Sequence, residues 1–593
     1  MKRLLVLTSL SLTLGMILAG LSGCGGGSSS TPPPPPSISS FTANSATITT
    51  GTSTALTGVF ANGTGVINPG NLPATSGEPV NVSPTATTTY ILTVTPASGT
   101  AVTAVATVTV ASATISNVSV DLSSSGPAVT DKLLGMNMAV WYDLVGNQTG
   151  IVNGLQSAGI TQVRWPGGSD SDQYHWADNS QCNGGYSDPN DTFENFVSDM
   201  AKPANLDVAL TANYGSNPAS GSNAACTEGG EPSEAAAWAA AAVAAGIIPS
   251  HMTVGNEEYG SWEYDLHAIP HDPTTYAAAV VGTSGYYQLI KAASPSTLVG
   301  IVVDAGNPNT VWDNTVMFKA KGSYDFVEYH YYPEAPGSEN DSFLVQQAAQ
   351  ELTTNINTLR SELTKWGTPN TPIYVGEIGG PYSNPGKQSW SITQGLYAGQ
   401  VLGEMMNAGV SRLTWWIGFG NCNGTAGNDT TSVYGWQDFG AYNVFSDGSD
   451  DPTCPGAGNL GNMSPTARAF QLFSQMAVNG QTVLTTSVLG DPTDVRAYAA
   501  TNPNGTVVFL FNDNESLAQP VTITLSGKTS SSNVTVTTYD KAIYDLSGSP
   551  TGNPPDPVGT SSWAPPNSKS TGAQNLPLTL TLTPWSMNLV LIQ

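Results

Sequence analysis

The sequence TVGNEEY at residues 253–259 decides how the whole chain is interpreted, because a short apolar run ends there in an Asn-Glu pair. The sequence PIYVGEIGG at residues 372–380 has the same form, with Glu377 near the end of its apolar run. Each stretch is typical of a buried strand that carries a carboxylate at its C-terminal end. In a parallel α/β barrel the C-terminal ends of all strands form one face, where active sites lie. The two stretches therefore predict that Glu257 and Glu377 meet on one face of a barrel.

From residue 131 to residue 478, apolar runs of strand length alternate with helical stretches. Strands that alternate with helices predict a parallel sheet, and eight such units predict a (β/α)8 TIM barrel of the α/β class. Glu257 would end the fourth strand and Glu377 the seventh, and their separation of 120 residues equals three units of about 40 residues each. The predicted strands are Leu133–Val140, Thr161–Trp165, Asp207–Ala212, Met252–Glu257, Leu298–Asp304, Phe326–Tyr332, Ile373–Glu377 and Arg412–Ile417.

The helices of these units are predicted from the helical stretches between the strands. Ser464 would cap the last helix and Pro465 would occupy its first position, where proline is favoured. The predicted helices are Ser233–Ala245, Thr274–Ala293, Phe343–Trp366, Ser391–Ala408 and Pro465–Met476. His251, His267 and His271 are interpreted as loop residues.

The segments on either side of the barrel alternate with a period of two between Gly, Pro and Asn turns, which is typical of β-sandwiches. We predict an N-terminal immunoglobulin-like β-sandwich over 38–112, the catalytic barrel over 113–478 and a C-terminal β-sandwich over 479–593. The segment Ser116–Ser123 is a candidate to contribute a strand to that C-terminal sandwich. The N-terminal module is expected to be a stalk, with a carbohydrate-binding module as the alternative.

The first 23 residues are typical of a bacterial export signal, with Lys2 and Arg3 ahead of the apolar run Leu4–Leu18. The sequence LSGC that ends at Cys24 resembles the lipobox, which implies that Cys24 is lipidated after cleavage. An ordinary transmembrane anchor is the alternative. Residues 24–37 are then a Gly/Ser/Pro linker. We expect an exported lipoprotein of the outer membrane or cell surface, held to the membrane by its N-terminal lipid.

Four cysteines remain after Cys24, an even number that suits disulfides in an oxidising compartment. We expect the pairs Cys182–Cys226 and Cys422–Cys454, each within one region of the chain. No C-x-x-C pair or histidine pair at ligand spacing accompanies them, so a zinc site is not predicted, and neither is any cofactor.

The net charge of −26 argues against a nucleic-acid partner, because phosphates require a basic surface.

Two glutamates on one barrel face are what glycoside hydrolysis needs, one to protonate the leaving oxygen and one to attack or to activate water. Glu258 is expected to point away from the barrel axis or to lie in a solvated loop, since neighbouring strand residues face opposite sides. Asn256 is a candidate to bond a sugar hydroxyl.

Arg164, in a barrel strand, must meet a carboxylate, because an unpaired buried charge is costly. Glu377 is its expected partner, and the cation would keep that carboxylate ionised.

The sequence GNE at residues 255–257, together with Glu377 after the seventh strand, resembles the active-site pattern of glycoside hydrolase clan A. This resemblance implies that Glu257 is the acid/base, that Glu377 is the nucleophile and that configuration is retained. The sequences RWPGGS at 164–169 and YHW at 174–176 resemble the Arg-aromatic-Pro-Gly-Gly and Tyr-x-Trp motifs of the family 51 α-L-arabinofuranosidases.

Two further positions follow from the same resemblance. His330 and Tyr331 resemble the family's His-Tyr pair, which implies that both contact the nucleophile, and Trp416 is a candidate sugar-stacking wall. Each of these residues, like Arg164, has a purely structural alternative as an ion pair or packed side chain. Where the family usually has an aromatic residue after the nucleophile, this chain has Ile378-Gly379-Gly380.

That departure keeps the substrate open. The sequence predicts a retaining glycosidase acting on plant-type carbohydrates, with α-L-arabinofuranosidase as the first expectation. Another clan A activity (β-xylosidase, β-glucuronidase or endo-β-glycanase) and an inactive surface glycan-binding protein are the alternatives. The small residues Gly376, Gly379 and Gly380 are expected to leave room for a substrate beside Glu377.

Overall fold

The fold is that of a computed structural model, which describes residues 34–49, 53–111, 114–142, 144–217, 226–305, 311–420, 430, 432–435, 440–446, 460–546, 548–549, 558–559 and 565–593. Lipidation of Cys24, the linker and the pair Cys422–Cys454 fall outside these residues. The chain divides into two compact units between Ala111 and Ser112. Among the described residues, no helix combines the length and hydrophobicity needed to cross a bilayer.

The N-terminal unit is a sandwich of two β-sheets. The first sheet holds Ser37–Ala43, Thr54–Ala61 and Pro79–Val82, and the second holds Thr47–Thr49, Val102–Ala111, Thr88–Thr95, Thr64–Asn68 and Leu72–Ala74, in sheet order. Leu56 from the first sheet and Ile67, Leu92, Val94 and Val108 from the second are fully buried in one shared core. Alternate residues of each strand supply this core, as the period of two predicted.

The second unit contains a closed barrel of eight parallel strands, which confirms the predicted fold class. The barrel strands, numbered below in chain order, are Gly135–Asn137, Gln162–Trp165, Asp207–Ala212, His251–Val254, Leu298–Val303, Phe326–Tyr331, Ile373–Ile378 and Arg412–Trp415. Every end of these strands lies within three residues of the corresponding predicted end. His251 begins the fourth strand and is buried, so its interpretation as a loop residue is wrong.

Helices cover the outside of the barrel. Seven of the described helices are continuous: Gln148–Ser157, Pro232–Ala244, Pro273–Val281, Tyr286–Ala293, Val311–Lys319, Ile392–Asn407 and Pro465–Phe473. Two more contain a π-helical segment. The first runs through Phe193–Asn195, the π-helix Phe196–Ala201 and Lys202–Ala204, and the second through Asp341–Phe343, the π-helix Leu344–Ala348 and Ala349–Lys365. Ser464 caps the helix Pro465–Phe473, accepting from the Ala467 N–H, with Pro465 in the first turn as predicted. The predicted helix Thr274–Ala293 is two helices, because Gly282 and Gly285 interrupt it.

A nine-stranded mixed sheet follows the barrel. Its strands, in sheet order, are Asn567–Gln574, Ser532–Asp540, Ser586–Ile592, Gly505–Asn512, Val495–Asn502, Val483–Leu489, Ser116–Asp121, Gln519–Leu525 and Leu578–Leu582. Val534 and Leu578, from opposite ends of this order, share one core, so the sheet folds over itself as a sandwich. The predicted contribution of the segment before the barrel is confirmed, since Ser116–Asp121 pairs on both sides within this sheet.

Candidate active site

The C-terminal ends of the second, fourth, sixth and seventh barrel strands bring the predicted site residues together. Glu257 follows the fourth strand with φ of 46°, in the left-handed region that non-glycine residues seldom adopt. The Asn256 N–H donates to Asp172 Oδ2 at 2.9 Å and holds this turn. Such local strain is found where surrounding contacts fix a functional residue.

Arg164 lies at the centre of the site and is 1% exposed. Its Nη1 donates to Glu377 Oε1 at 2.9 Å and to Asn137 Oδ1 at 3.0 Å, and its Nη2 donates to Asn256 Oδ1 at 2.7 Å. The expected ion pair between Arg164 and Glu377 is therefore confirmed. The guanidinium joins the first, second, fourth and seventh strands in one buried network.

Glu328 is a buried site residue that the sequence analysis did not single out. Its Oε1 lies 2.8 Å from Arg164 Nε and 3.1 Å from His330 Nε2, and it also accepts from the Thr253 hydroxyl. Burial alone would raise the pKa of Glu328, but the charge of Arg164 and the bonds from His330 and Thr253 lower it to about 2. Glu328 is therefore a fixed anion beneath Arg164 and His330.

Glu377 receives three polar neighbours. Besides Arg164, the Tyr332 hydroxyl donates to Glu377 Oε2 at 2.7 Å, and His330 Nδ1 lies 3.8 Å from the same oxygen. A register shift, in which Gly376 is the extra residue of the seventh strand, aligns His330 with Glu377. Glu377 therefore faces the cleft with both oxygens oriented by hydrogen bonds.

The expected contact between Tyr331 and the nucleophile is wrong. The Tyr331 hydroxyl donates instead to Ala348 O at 3.2 Å and to Glu351 Oε2 at 3.3 Å, on the helical side of the barrel. Strand side chains alternate between faces, so Glu328, His330 and Tyr332 share the inner face and Tyr331 cannot. Tyr332 occupies the position that had been expected for Tyr331.

Glu257 is held from two sides. His330 Nδ1 lies 2.8 Å from Glu257 Oε1, and Trp262 Nε1 donates to Glu257 Oε2 at 2.7 Å. Burial opposes ionisation of Glu257, but the hydrogen bonds from His330 and Trp262 outweigh it and lower its pKa. Burial likewise opposes the charged form of His330, yet Glu377, Glu257 and Glu328 raise its pKa to about 10. One proton is thus held between Glu257 and His330, on the imidazole side.

The two candidate catalytic carboxyl groups are close together. One oxygen of Glu257, one oxygen of Glu377 and one nitrogen of His330 all lie within 4.8 Å of one another. The same three groups have the donor types of a metal site. The arrangement is a pair of carboxyl groups with the His330 imidazole between them.

Asn256 makes its side-chain contacts to protein. Besides accepting from Arg164, its Nδ2 donates to Glu263 Oε1 at 3.1 Å, and Ser169 Oγ donates to the same oxygen at 2.9 Å. Burial, with the nearby charges of Asp172 and Glu257, raises the pKa of Glu263 to about 9. Glu263 therefore stands as a neutral carboxylic acid at pH 7.

Glu258 lies in the loop after the fourth strand, as one of the two expectations had it, but it is fully buried, so the expectation of a solvated position is wrong. The strand ends at Val254, and the left-handed backbone at Gly255 and Glu257 turns Glu258 into the protein, beside Asp172. Burial, followed by the charge of Asp172, raises the pKa of Glu258 well above its ordinary value. The pair of adjacent acids thus has one member in the cleft and one in the interior.

Two tryptophans form a wall at one side of the cleft. The rings of Trp141 and Trp416 lie 6.2 Å apart between centroids, and both are partly exposed. A Cβ on Gly168, which has φ of 45°, would approach the Trp416 ring to 2.7 Å. The Trp416 ring can therefore lie where it does because residue 168, in the sequence RWPGGS, is a glycine without a side chain.

The glycines around Glu377 make room for protein rather than for a substrate. A Cβ on Gly376 would lie 2.2 Å from the Glu328 carboxylate, and one on Gly380 would lie 2.9 Å from the Gln394 amide. A Cβ on Gly379 would lie 3.1 Å from the Tyr332 ring. The expectation that these glycines open space for a sugar is wrong.

The predicted disulfide Cys182–Cys226 is present, with a Cα–Cα distance of 5.7 Å. It joins the segment after the second strand to the segment after the third strand. His175 Nε2 lies 3.2 Å from Cys182 Sγ, and the opposite ring nitrogen of His175 is 3.0 Å from Glu234. The disulfide therefore fixes two loops on the face that carries the candidate site.

No protein-family model and no curated protein matches the sequence. Solved structures do match the fold. The α-L-arabinofuranosidase from Thermotoga maritima has a TM-score of 0.60 at 14% identity, over 81% of this chain and 100% of that chain. The GH51 arabinofuranosidase from Xanthomonas axonopodis pv. citri has a TM-score of 0.57 at 15% identity, over 81% of this chain and 100% of that chain.

A Paenibacillus polymyxa xyloglucanase from glycoside hydrolase family 44 matches as well, with a TM-score of 0.54 at 13% identity, over 81% of this chain and 100% of that chain. At these identities the similarity concerns the fold. The chain therefore shares its barrel architecture with glycoside hydrolases of families 51 and 44.

Proposed function

We propose that this chain is a retaining glycoside hydrolase, in which Glu377 is the nucleophile and Glu257 is the acid/base. The observation that carries the proposal is that one carboxyl oxygen of Glu257 and one carboxyl oxygen of Glu377 lie within 4.8 Å of each other. Retaining enzymes hold the two groups about 5–5.5 Å apart, whereas inverting enzymes leave about 6.5–9.5 Å for a water molecule. The short separation supports direct attack by one carboxylate.

The different surroundings of the two glutamates support their roles. Arg164 and Tyr332 both donate to Glu377, so its carboxyl group is oriented for attack on the anomeric carbon. Glu257 is more exposed, at 16% of its side chain against 6% for Glu377. A group that protonates a departing oxygen must reach the leaving-group side of the cleft, as Glu257 does.

His330 would store the proton for Glu257. In the free site the charge of Glu377 helps to hold this proton on the imidazole. As Glu377 bonds to the sugar its charge disperses, so the hold of His330 on the proton weakens. The proton can then pass over the 2.8 Å bond to Glu257 while Glu257 protonates the leaving oxygen. In the second half-reaction Glu257 takes a proton from water and returns it to His330.

The substrate class that we propose is the α-L-arabinofuranosides of plant-type polysaccharides. The fold neighbours include several arabinofuranosidases. The sequences RWPGGS at 164–169 and YHW at 174–176 resemble motifs of the family 51 enzymes. The second candidate is β-glycan cleavage, which the similarity to a family 44 xyloglucanase favours. A panel of aryl glycosides separates the two, because release from the arabinofuranoside alone identifies the first and release from cellobioside or xyloside alone identifies the second.

Azide tests the assignment of the two glutamates. Azide added to Glu257→Ala should restore turnover with retained configuration, because azide attacks the glycosyl-enzyme without a general base. Azide added to Glu377→Ala should give inverted product, because it replaces the nucleophile. The opposite pattern would exchange the two roles, and inverted product from the wild-type enzyme would refute a retaining mechanism.

We further propose that the chain is exported and lipidated at Cys24, on the basis of the sequence LSGC after an apolar segment. Cys24→Ala should release the protein from the membrane fraction or block its processing. Fractionation of cells that express the two forms measures this. An unchanged distribution of the Cys24→Ala protein would contradict the proposal.

A further inference from the structure

Glu258, Asp265 and His271 form a second cluster next to the candidate active site. One ligand atom from each of the three side chains lies within 4.8 Å of the other two. Glu258 directly follows Glu257, and the other two lie in the loop between Glu257 and the helix Pro273–Val281. The cluster shares no side chain with the network of Arg164.

Several polar atoms of this cluster lack a donor or an acceptor in the described part of the chain. Glu258 is 0% exposed, and within the described residues no N–H or hydroxyl group donates to its carboxyl oxygens, whose hydrogen-bonding neighbour is the Asp172 carboxyl group. The Nδ1 atom of His271 is also buried without a hydrogen-bond partner. Asp265 is oriented by the backbone N–H groups of His267 and His271, each at 2.8 Å, and His267 Nδ1 lies 2.8 Å from Asp265 Oδ1, which leaves a lone pair on Oδ2.

The charge around the cluster is one-sided. Asp172 and Glu263 lie close enough to Glu258 to act on its ionisation, as does Asp265. Within the residues that the structure describes, no lysine or arginine forms a salt bridge with any of these four acids. Glu263 is a neutral acid, and Asp265 has the His267 imidazole 2.8 Å away, so the buried pair Glu258 and Asp172 is the part of this group that needs compensation. Buried carboxylates without a counter-charge are costly. Either a cation or a shared proton must compensate them.

We propose that Glu258, Asp265 and His271 bind a divalent transition-metal cation of the zinc type. Zinc takes carboxylate oxygen and imidazole nitrogen at about 2.0–2.2 Å, which places neighbouring ligand atoms about 3–4 Å apart. The three ligand atoms lie within 4.8 Å of one another in the structure. Calcium and magnesium prefer sites made of oxygen alone, so the imidazole favours a transition metal.

The cation would fix the loop over residues 258–271. That loop begins beside Glu257 and contains Trp262, which donates to the Glu257 carboxylate. Metal binding would therefore set the position of the acid/base. This consequence rests on the proposed function, whereas metal binding itself does not.

Zinc binding to the full chain tests the proposal without an activity assay. After dialysis against a chelator, added Zn²⁺ should bind with one ion per chain in calorimetry and should raise the temperature of the fluorescence-detected unfolding transition. Glu258→Gln and His271→Gly should each weaken this binding at least tenfold. Glycine suits position 271 because His271 has φ of 53°. Glu263→Gln is the matched control, a buried acid of the same loop outside the cluster, and should bind zinc like the wild type.

The alternative is a proton shared between Glu258 and Asp172. In that case glutamine at position 258 replaces a neutral acid, and the wild type and Glu258→Gln respond identically to chelator and to zinc. That result would overturn the proposal. It would equally be overturned if Ca²⁺ stabilised the protein and Zn²⁺ did not, or if the wild type showed no shift with any of the ions Zn²⁺, Mn²⁺ and Ca²⁺.

Discussion

Substitution of Glu328 by glutamine would remove the buried negative charge beneath the candidate site. Its Oε1 lies 2.8 Å from Arg164 Nε and 3.1 Å from His330 Nε2, and its pKa is about 2. The ordinary pKa of glutamate is about 4.3, so folding lowers it by roughly two units, each worth about 1.4 kcal/mol. Glu328→Gln should therefore cost about 3 kcal/mol of unfolding free energy at pH 7, near the lower end of the range for breaking a buried ion pair.

The direction of the pH dependence follows from the lowered pKa. A carboxyl group that is more acidic in the folded state contributes its full stabilisation above its unfolded pKa and loses it as the pH falls through its folded pKa. The difference between the wild type and Glu328→Gln should thus be constant from about pH 7 to pH 5 and shrink toward zero near pH 2.

Urea unfolding followed by tryptophan fluorescence measures this difference. The tryptophan nearest the N-terminus is Trp141, so the signal comes from the second unit and not from the N-terminal sandwich. Glu194→Gln, at an exposed helical position, is the control and should change the free energy of unfolding little at any pH. A loss that stayed the same from pH 7 to pH 3 would show a steric effect of the substitution and refute the electrostatic reasoning.

Two other substitutions test the contacts of the glutamates. Tyr332→Phe removes the hydroxyl that donates to Glu377, the proposed nucleophile, at 2.7 Å. The substitution should lower kcat about 10- to 100-fold, as expected for a hydrogen bond to a charged group. Tyr331→Phe is the matched control and should leave kcat unchanged, and equal effects of the two substitutions would contradict the assignment. Trp262→Phe removes an N–H that favours the ionised form of Glu257. Glu257 should then become more basic and the Glu257–His330 pair should keep its shared proton to higher pH, which moves the basic limb of the pH profile of kcat/KM to higher pH. An unmoved limb would show that Trp262 does not tune the acid/base.

The eight barrel strands could be predicted from the sequence because each is an apolar run bounded by polar or turn residues. The pairing of Arg164 with Glu377 was also predictable, since a barrel interior leaves a buried arginine little choice of partner. The position of Tyr332 on the inner face of the barrel could have been predicted as well. Counting alternate residues from His330 places Glu328 and Tyr332 on its face and Tyr331 on the other.

The burial of Glu258 could not be predicted by the same count. The fourth strand ends at Val254, and the left-handed backbone at Gly255 and Glu257 removes the strand alternation before Glu258 is reached. Glycine permits such a conformation, but nothing in a glutamate residue signals it. The hydrogen bond from Trp262 to Glu257 could not be predicted for a related reason, because an irregular loop brings the Trp262 side chain back to Glu257. Glycines were also misleading, since their sequence neighbours do not reveal that Gly376 accommodates the Glu328 carboxylate from an adjacent strand.

The strand Ser116–Asp121 lies between Val483–Leu489 and Gln519–Leu525, although more than 360 residues separate it from either. The C-terminal sheet therefore cannot close during synthesis until nearly the whole chain has left the ribosome. Until then this strand and its later neighbours have unpaired edges, which are prone to association with other chains. A truncated chain that starts at the barrel would lack this strand permanently, so the shortest soluble form of the protein should begin before Ser116 rather than at the first barrel strand.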